Sequence, residues 1–273
     1  MNLAPTYKYL FRISIRSLML VYLWLIGITL ILPALFSLIS GTIGDFSLAN
    51  QLSSQQFSIV AGFFLFFYFS LNDNHFNFLI QNGIGRKTYW LGKLLVAGVT
   101  ILIIEAINLV YLYAIYLPIA GTGNSSDTLQ ISYEGNPVAS SMLSLLYGHY
   151  TGNELLDYVL TTIVVLFGLA SITALGMAVG SIMSLFSRRM KLIIIIGTPI
   201  FLIVLAIYIS NLNIHLFSTT WIYDFAKVIV GAGAHPVEEH FNPFAPMVSG
   251  TIFIAIMLFV SRYFNLKLKV RTD

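Results

Sequence analysis

The feature that most restricts this chain is a set of apolar runs, each near the length at which an α-helix crosses a lipid bilayer. A hydrocarbon core of about 30 Å needs about 20 mostly apolar residues in helical form. Six runs meet or approach that length: Leu18 to Ile39, Leu52 to Leu71, Leu94 to Ile119, Tyr158 to Phe186, Leu192 to Ile209 and Met247 to Phe264. With 58% hydrophobic residues, 9% charged and a mean hydropathy of +0.86, the chain lies outside the range of soluble domains. It reads as one transmembrane domain over residues 1–273, an all-α integral membrane protein with six transmembrane helices. The start of the second run, in the polar "NQLSSQQF", is the least defined boundary.

Charge gives the orientation, because loops retained in the cytoplasm carry the excess of Lys and Arg. Lys8, Arg12 and Arg16 precede the first run; Arg86, Lys87 and Lys93 lie between the second and third; Arg188, Arg189 and Lys191 follow the fourth; Arg262, Lys267, Lys269 and Arg271 end the chain. Lys227 alone falls on the other side, with Asp45, Asp127, Glu134, Glu154, Asp157, Asp224, Glu238 and Glu239. Both termini are therefore expected in the cytoplasm. The net charge of +3 flanks membrane runs instead of forming a patch, which argues against nucleic acid as a partner. The first run exceeds a signal-peptide core and five more follow it, so it is read as a retained span. No cysteine is present, which excludes disulfides and thiolate metal sites.

Residues 1–17 place Lys8, Arg12 and Arg16 along one helical stripe, with Tyr7, Leu10 and Phe11 toward apolar surroundings. The pattern fits an interfacial helix on the inner leaflet, and equally a helical positive-inside flank. On the outer side, residues 120–156 and 210–246 are too long to be simple turns. "TTWIYDFAKVIV" has Trp221, Ile222, Phe225, Val228 and Ile229 at helical spacing, which predicts a short amphipathic or re-entrant helix before the last span.

Between the second and third runs lies "NDNHFNFLIQNGIGRKTYWLGK", residues 72–93. "FNFLIQ" is expected to prolong the second span beyond the membrane, and Asn82-Gly83 to stop that helix. After Gly85, "RKTYWLGK" is expected to form a short helix with Arg86 and Lys87 outward and Tyr89 and Trp90 at the interface. From the residues alone this is a docking element or an ordinary basic loop. "GIGRKT" is not a phosphate-binding loop, because Arg86 separates the last Gly from Lys87 and no strand precedes it.

Six spans, the basic N-terminal helix, "FLIQNGIGRKTYWLGKLL" and the amphipathic outer segment together resemble the permease subunit of a type-2 ATP-binding-cassette (ABC) exporter of the small bacterial kind. Asn82, Gly83, Ile84, Arg86, Lys87, Gly92 and Lys93 match the loop pattern of that family; Gly85 stands where Ser is usual. The resemblance implies a coupling element, from about Asn72 to Trp90, that contacts a separate ATPase through Phe76, Phe78, Asn82, Gly83, Gly85, Arg86 and Lys87. A smaller contact is implied at Arg188 and Arg189. It further implies two cytoplasmic ABC ATPase subunits that hold the ATP and Mg, a second permease copy or a paralogue, surrounding lipid, a bacterial plasma-membrane location, and no catalysis or cofactor in this chain.

Within the spans, Glu105 is an expensive carboxyl that must face protein or water, with Gly98, Asn108 and Tyr116 near its face. It reads as part of a transport pathway, as a proton-sensitive group or as a structural carboxyl. Phe63 and Phe67 belong to the aromatic run "GFFLFFYF", which serves packing and lipid contact or an apolar pathway wall. Thr173, Gly176, Gly180 and Ser184 form a small-residue face for close helix packing. Pro33 and Pro199 are expected to kink the first and fifth spans, and Pro199 is a pathway candidate. "HPVEEH" groups His235, Glu238, Glu239 and His240 but lacks the H-E-x-x-H spacing, so no metal site is expected. Two other functions compete with a permease. A proton- or ion-coupled carrier would use Glu105, and a metalloenzyme would use His235 and His240. The aromatic, weakly charged interior favours a hydrophobic or amphipathic cargo. By family analogy that means a peptide such as an antimicrobial peptide, a drug or a lipid.

Overall fold

The computed structural model describes residues 3–41, 57–71, 73–111, 114, 150–151, 153–186, 190, 220–232 and 241–268. Leu192 to Ile209 with Pro199, Arg188 and Arg189, Tyr116, most of the outer segment 120–156, and His235 to His240 lie outside the described residues. Eight α-helices and one π-helical segment make up the described part, which contains no strand. Four stretches are long and apolar enough to cross a membrane: Leu3–Ile39, Arg86–Val110, Leu155–Met183 and Phe244–Lys267. The protein thus has the character of an all-α, multi-pass membrane protein.

Of the two forms expected for residues 1–17, the first crossing shows the helical flank. α1 (Leu3–Ile26) runs through the junction at residue 17 without a break. Thr6, Leu10, Ser14 and Leu18, spaced by four, are its buried residues, while Lys8, Arg12 and Arg16 are exposed. That periodic face packs along α5 (Arg86–Val110), with the Ser14 and Thr100 hydroxyls 3.0 Å apart. The segment 1–17 is therefore the first part of the crossing helix and not a separate interfacial one. Nothing between Arg16 and Leu18 breaks helix, and packing on α5 holds the two parts in line. A π-helical turn, Gly27–Ile31, then joins α1 to α2 (Leu32–Ile39). Pro33 sits in the first turn of α2. It has no N–H and its ring crowds the carbonyl four residues earlier, so the wider turn, with Leu32 N–H donating to Gly27 O, absorbs the conflict.

α3 (Phe57–Ser70) ends at Ser70, and α4 (Asp73–Gln81) begins after a break at Leu71. The second span is therefore not prolonged as one helix through "FNFLIQ". Similarly, "RKTYWLGK" is not a short separate helix but the first two turns of the 25-residue α5. Gly92, the residue there most able to interrupt a helix, is needed for packing: a Cβ on it would lie 3.1 Å from Thr6 Cγ2 of α1.

α6 (Glu154–Met183) starts at an Asn153 cap, whose side chain accepts from Leu155 N–H. α7 (Thr220–Val230) is the amphipathic helix expected before the last span. It ends at Gly231, whose φ of 78° and tight fit beneath Asn242 O, 2.2 Å from an added Cβ, exclude a side chain. α8 (Phe244–Lys267) completes the bundle.

Contacts between helices set their directions. Gly62 meets Ile172, Gly176 meets Phe66 and Gly180 meets Ser70, so α3 and α6 run parallel. Ser171 lies at Gly250 and Ser181 bonds Ser261, so α8 runs with them. α1 and α5 run parallel to each other, as Thr6 meets Gly92 and Ser14 meets Thr100. Lys93 near the start of α5 reaches Phe69 near the end of α3, which makes these two groups opposed. One end of the bundle therefore gathers Lys8, Arg12, Arg86, Lys87, Arg262 and Lys267, and the other Asp157 and Asp224. Large side chains such as Leu23, Ile39 and Phe259 are 70%, 79% and 72% exposed. Such an outward apolar surface suits lipid.

Candidate docking hairpin and buried polar groups

At the basic end, α4 and the start of α5 form a hairpin. Its turn is a helix C-cap in which Gly83 takes φ 80°. Gly83 N–H donates to Ile80 O and Ile84 N–H to Leu79 O, both at 3.0 Å, the two bonds of a Schellman motif. Asn82 adds a third closure, its Nδ2 donating to Phe78 O at 2.7 Å. Gly85 is extended at the N-cap of α5. Gln81, Asn82, Gly83, Gly85, Arg86 and Lys87 are exposed while Ile84 folds inward, so the tip is a defined protrusion.

The hairpin is braced on two sides. Phe76 is 5% exposed and meets the buried Tyr89 edge-on, with ring centroids 5.1 Å apart. Phe76 is thus a core residue of the hairpin and not part of its outer face. Tyr89 likewise is buried, away from the interface expected for it; Trp90 is half-buried under the Arg262 guanidinium. Phe78 is 50% exposed and stacks on Tyr9 of α1, and the Tyr9 hydroxyl lies 3.4 Å from His75 Nδ1. Burial pushes the His75 imidazole below its ordinary range. Arg86 donates from Nη1 to Leu266 O at 3.0 Å, tying the hairpin to the end of α8.

Behind the hairpin, Lys93 is buried, and its Nζ donates to Phe69 O at 2.8 Å. Phe69 is the penultimate residue of α3, where carbonyls lack intrahelical partners and a cation is favoured. Lys93 reads in the sequence as one more basic flank, and only the packing reveals it as an interior group. Asn265 near the end of α8, 2% exposed, was not singled out by its sequence, and its Oδ1 has no partner. The sole hint is its amide within the apolar last span.

Farther along α5, Glu105 is buried, with Asn108 Nδ2 at 3.4 Å from its Oε2. The structure brings Glu105 and Asn108 together, whereas Gly98 is exposed. Phe63 and Phe67 stack on the outer face of α3, 62% and 52% exposed, while Phe64, Leu65 and Phe69 face the core. Gly176 and Gly180 lie against the α3 backbone, where a Cβ would be 2.7 Å from Phe66 O and from Ser70 O respectively. Thr173 and Ser184 close their hydroxyls onto carbonyls of α6 itself. An apolar groove of about 970 Å3 runs between α1–α2 and α5, lined by residues including Tyr22, Trp24, Ile28 and Ile107. Among the described residues no group of three or more His, Asp or Glu could hold a metal ion.

No family model, no curated protein and no solved structure matches this chain.

Proposed function

We propose that the protein is the membrane-spanning subunit of an ABC exporter of the type-2 kind, with six spans and both termini in the cytoplasm of a bacterial cell. The carrying observation is the braced hairpin. Its exposed tip, Gln81 to Lys87, lies at the basic end and leads directly into the long helix α5, whose first residues are Arg86 and Lys87. A partner that seats the tip in a groove can move α5 directly, since Arg86 and Lys87 of the tip are the first residues of that helix. Two further features support the reading. α6 ends at the basic end and α8 starts at the opposite end, and between them in the sequence Leu192 to Ile209 has the composition of a further span. The apolar groove beside α1 suits a hydrophobic or amphipathic cargo such as a peptide, drug or lipid.

On this reading two cytoplasmic ATPase subunits bind ATP and Mg, a second permease copy or paralogue completes the pathway, and this chain performs no catalysis. Arg188 and Arg189 provide the smaller contact. The test is co-purification with the candidate ATPase and measurement of ATP turnover in the complex. Lys87→Glu is the informative variant, because Lys87 is exposed whereas Arg86 also holds Leu266. Loss of the complex with helicity retained supports docking; unchanged assembly in both Lys87→Glu and Arg86→Glu refutes it. The buried Glu105 favours one second reading, a proton- or ion-coupled carrier, which would transport without ATP and fail in Glu105→Gln.

A further inference from the structure

The ends of α3, α5, α6 and α8 meet around a small pocket lined by Ser70, Lys93, Ser181, Ser184 and Asn265, among others. Its serine hydroxyls are paired, Ser70 with Phe67 O, Ser181 with Met177 O and Ser184 with Gly180 O, whereas Lys93 and Asn265 are incompletely paired. The Lys93 ammonium has three N–H donors, and Phe69 O takes one of them. Asn265 Oδ1, buried and without a partner, is an acceptor on the same wall. Leaving such groups unpaired is costly, more so for a charge. The pocket has room for about one water molecule.

We propose that a single buried water occupies this pocket and bridges Lys93 Nζ to Asn265 Oδ1, making Lys93 a polar clamp that locks the ends of α3, α5 and α8 together. Water is the ligand because the walls present a donor cation and acceptor oxygens together. An anion would meet Asn265 Oδ1 and Phe69 O unfavourably; a water accepts from Lys93 and donates to Asn265. The neighbouring Ser181 and Ser261 hydroxyls, buried and 3.2 Å apart, tie α6 to α8 at the same level. The hairpin is thereby fastened behind its tip by Lys93 as well as at its tip by Arg86. The clamp holds whether or not an ATPase docks on the hairpin, so it stands apart from the functional reading above.

The test is a charge-dependent mutant cycle on the purified protein in lipid nanodiscs, read as thermal unfolding by circular dichroism. Asn265→Asp places a carboxylate across the water from the ammonium, so it should leave the midpoint unchanged or raise it when Lys93 is present. In the Lys93→Met background the same change should lower the midpoint by several degrees. Asn265→Leu should be destabilising alone, and the loss in Lys93→Met/Asn265→Leu should be smaller than the sum of the single losses. Equal effects of Asn265→Asp in both backgrounds, or strictly additive losses, would overturn the clamp. Should the Lys93→Met chains fail to fold, an experimental map that resolves ordered water decides: density in the pocket within hydrogen-bond reach of both groups supports the proposal, and an empty pocket with ordered side chains ends it.

Discussion

Replacing Gly180 with alanine tests whether the contact of α6 with α3 is set by backbone proximity. The added methyl carbon would lie 2.7 Å from Ser70 O, 2.8 Å from Phe69 O and 2.9 Å from Ser70 Cα. All three are backbone atoms, so no side chain can swing aside, and the helices must separate by roughly 0.7 Å to restore ordinary contact. Overpacking of this kind costs about 1–3 kcal/mol. Alanine also favours helix over glycine by about 1 kcal/mol, which offsets part of that cost. Gly168 in the same helix has nothing within 4 Å of an added Cβ, so Gly168→Ala shows the propensity gain alone. The two variants should therefore differ by about 1–3 kcal/mol in reversible unfolding with SDS in mixed micelles, followed by helicity. Gly176→Ala/Gly180→Ala should cost less than the sum of the singles, because helices already parted for one methyl admit the second more easily. If Gly180→Ala unfolds at the same SDS fraction as Gly168→Ala, the close approach of α3 and α6 is wrong.

Gly83→Ala forces a Cβ into a left-handed φ of 80° and should destabilise the hairpin by about 1–2 kcal/mol; hydrogen exchange at Gly83 and Ile84 should rise while that of α6 stays unchanged. His75 titrates below its ordinary value of 6.5 in the folded state because it is partly desolvated. The unfolded chain therefore binds its proton first, so the stability this group contributes is complete above the ordinary value and is lost as pH falls toward the folded one. His75→Gln should flatten the acid limb of a stability–pH curve, and an unchanged limb would show that His75 carries none of it. Glu105→Gln keeps the shape and the Asn108 contact; under the permease reading ATP turnover in the complex should stay within about threefold of wild type, equivalent to less than 1 kcal/mol.

Several features were legible in the residues because they depend on short-range chemistry. Asn82-Gly83 ends a helix because glycine alone tolerates the left-handed cap without cost, and the cap forms there. The apolar runs at the first, third, fourth and last positions become long helices, and "TTWIYDFAKVIV" becomes α7. The candidate site was legible only as an exposed basic tip. Phe76 and Tyr89 look like interface aromatics by composition, yet they pack against each other inside the hairpin, and sequence spacing could not decide which of Phe76 and Phe78 faced inward.

The sequence by itself determined the class of the protein, since runs of apolar residues near bilayer length leave little alternative to helices in lipid, and basic residues mark one end of each. Only the tertiary structure decided how those helices join and what their polar residues do. Residues 1–17 merge with the first crossing because Thr6, Leu10, Ser14 and Leu18 find a partner face on α5, which no local pattern reveals. Lys93 changes from a flanking charge to a buried clamp because the end of α3 presents the Phe69 carbonyl, which accepts from its Nζ at 2.8 Å. Helix formation is governed by contacts within a few residues along the chain. The fate of a buried charge is governed by groups that only folding brings near.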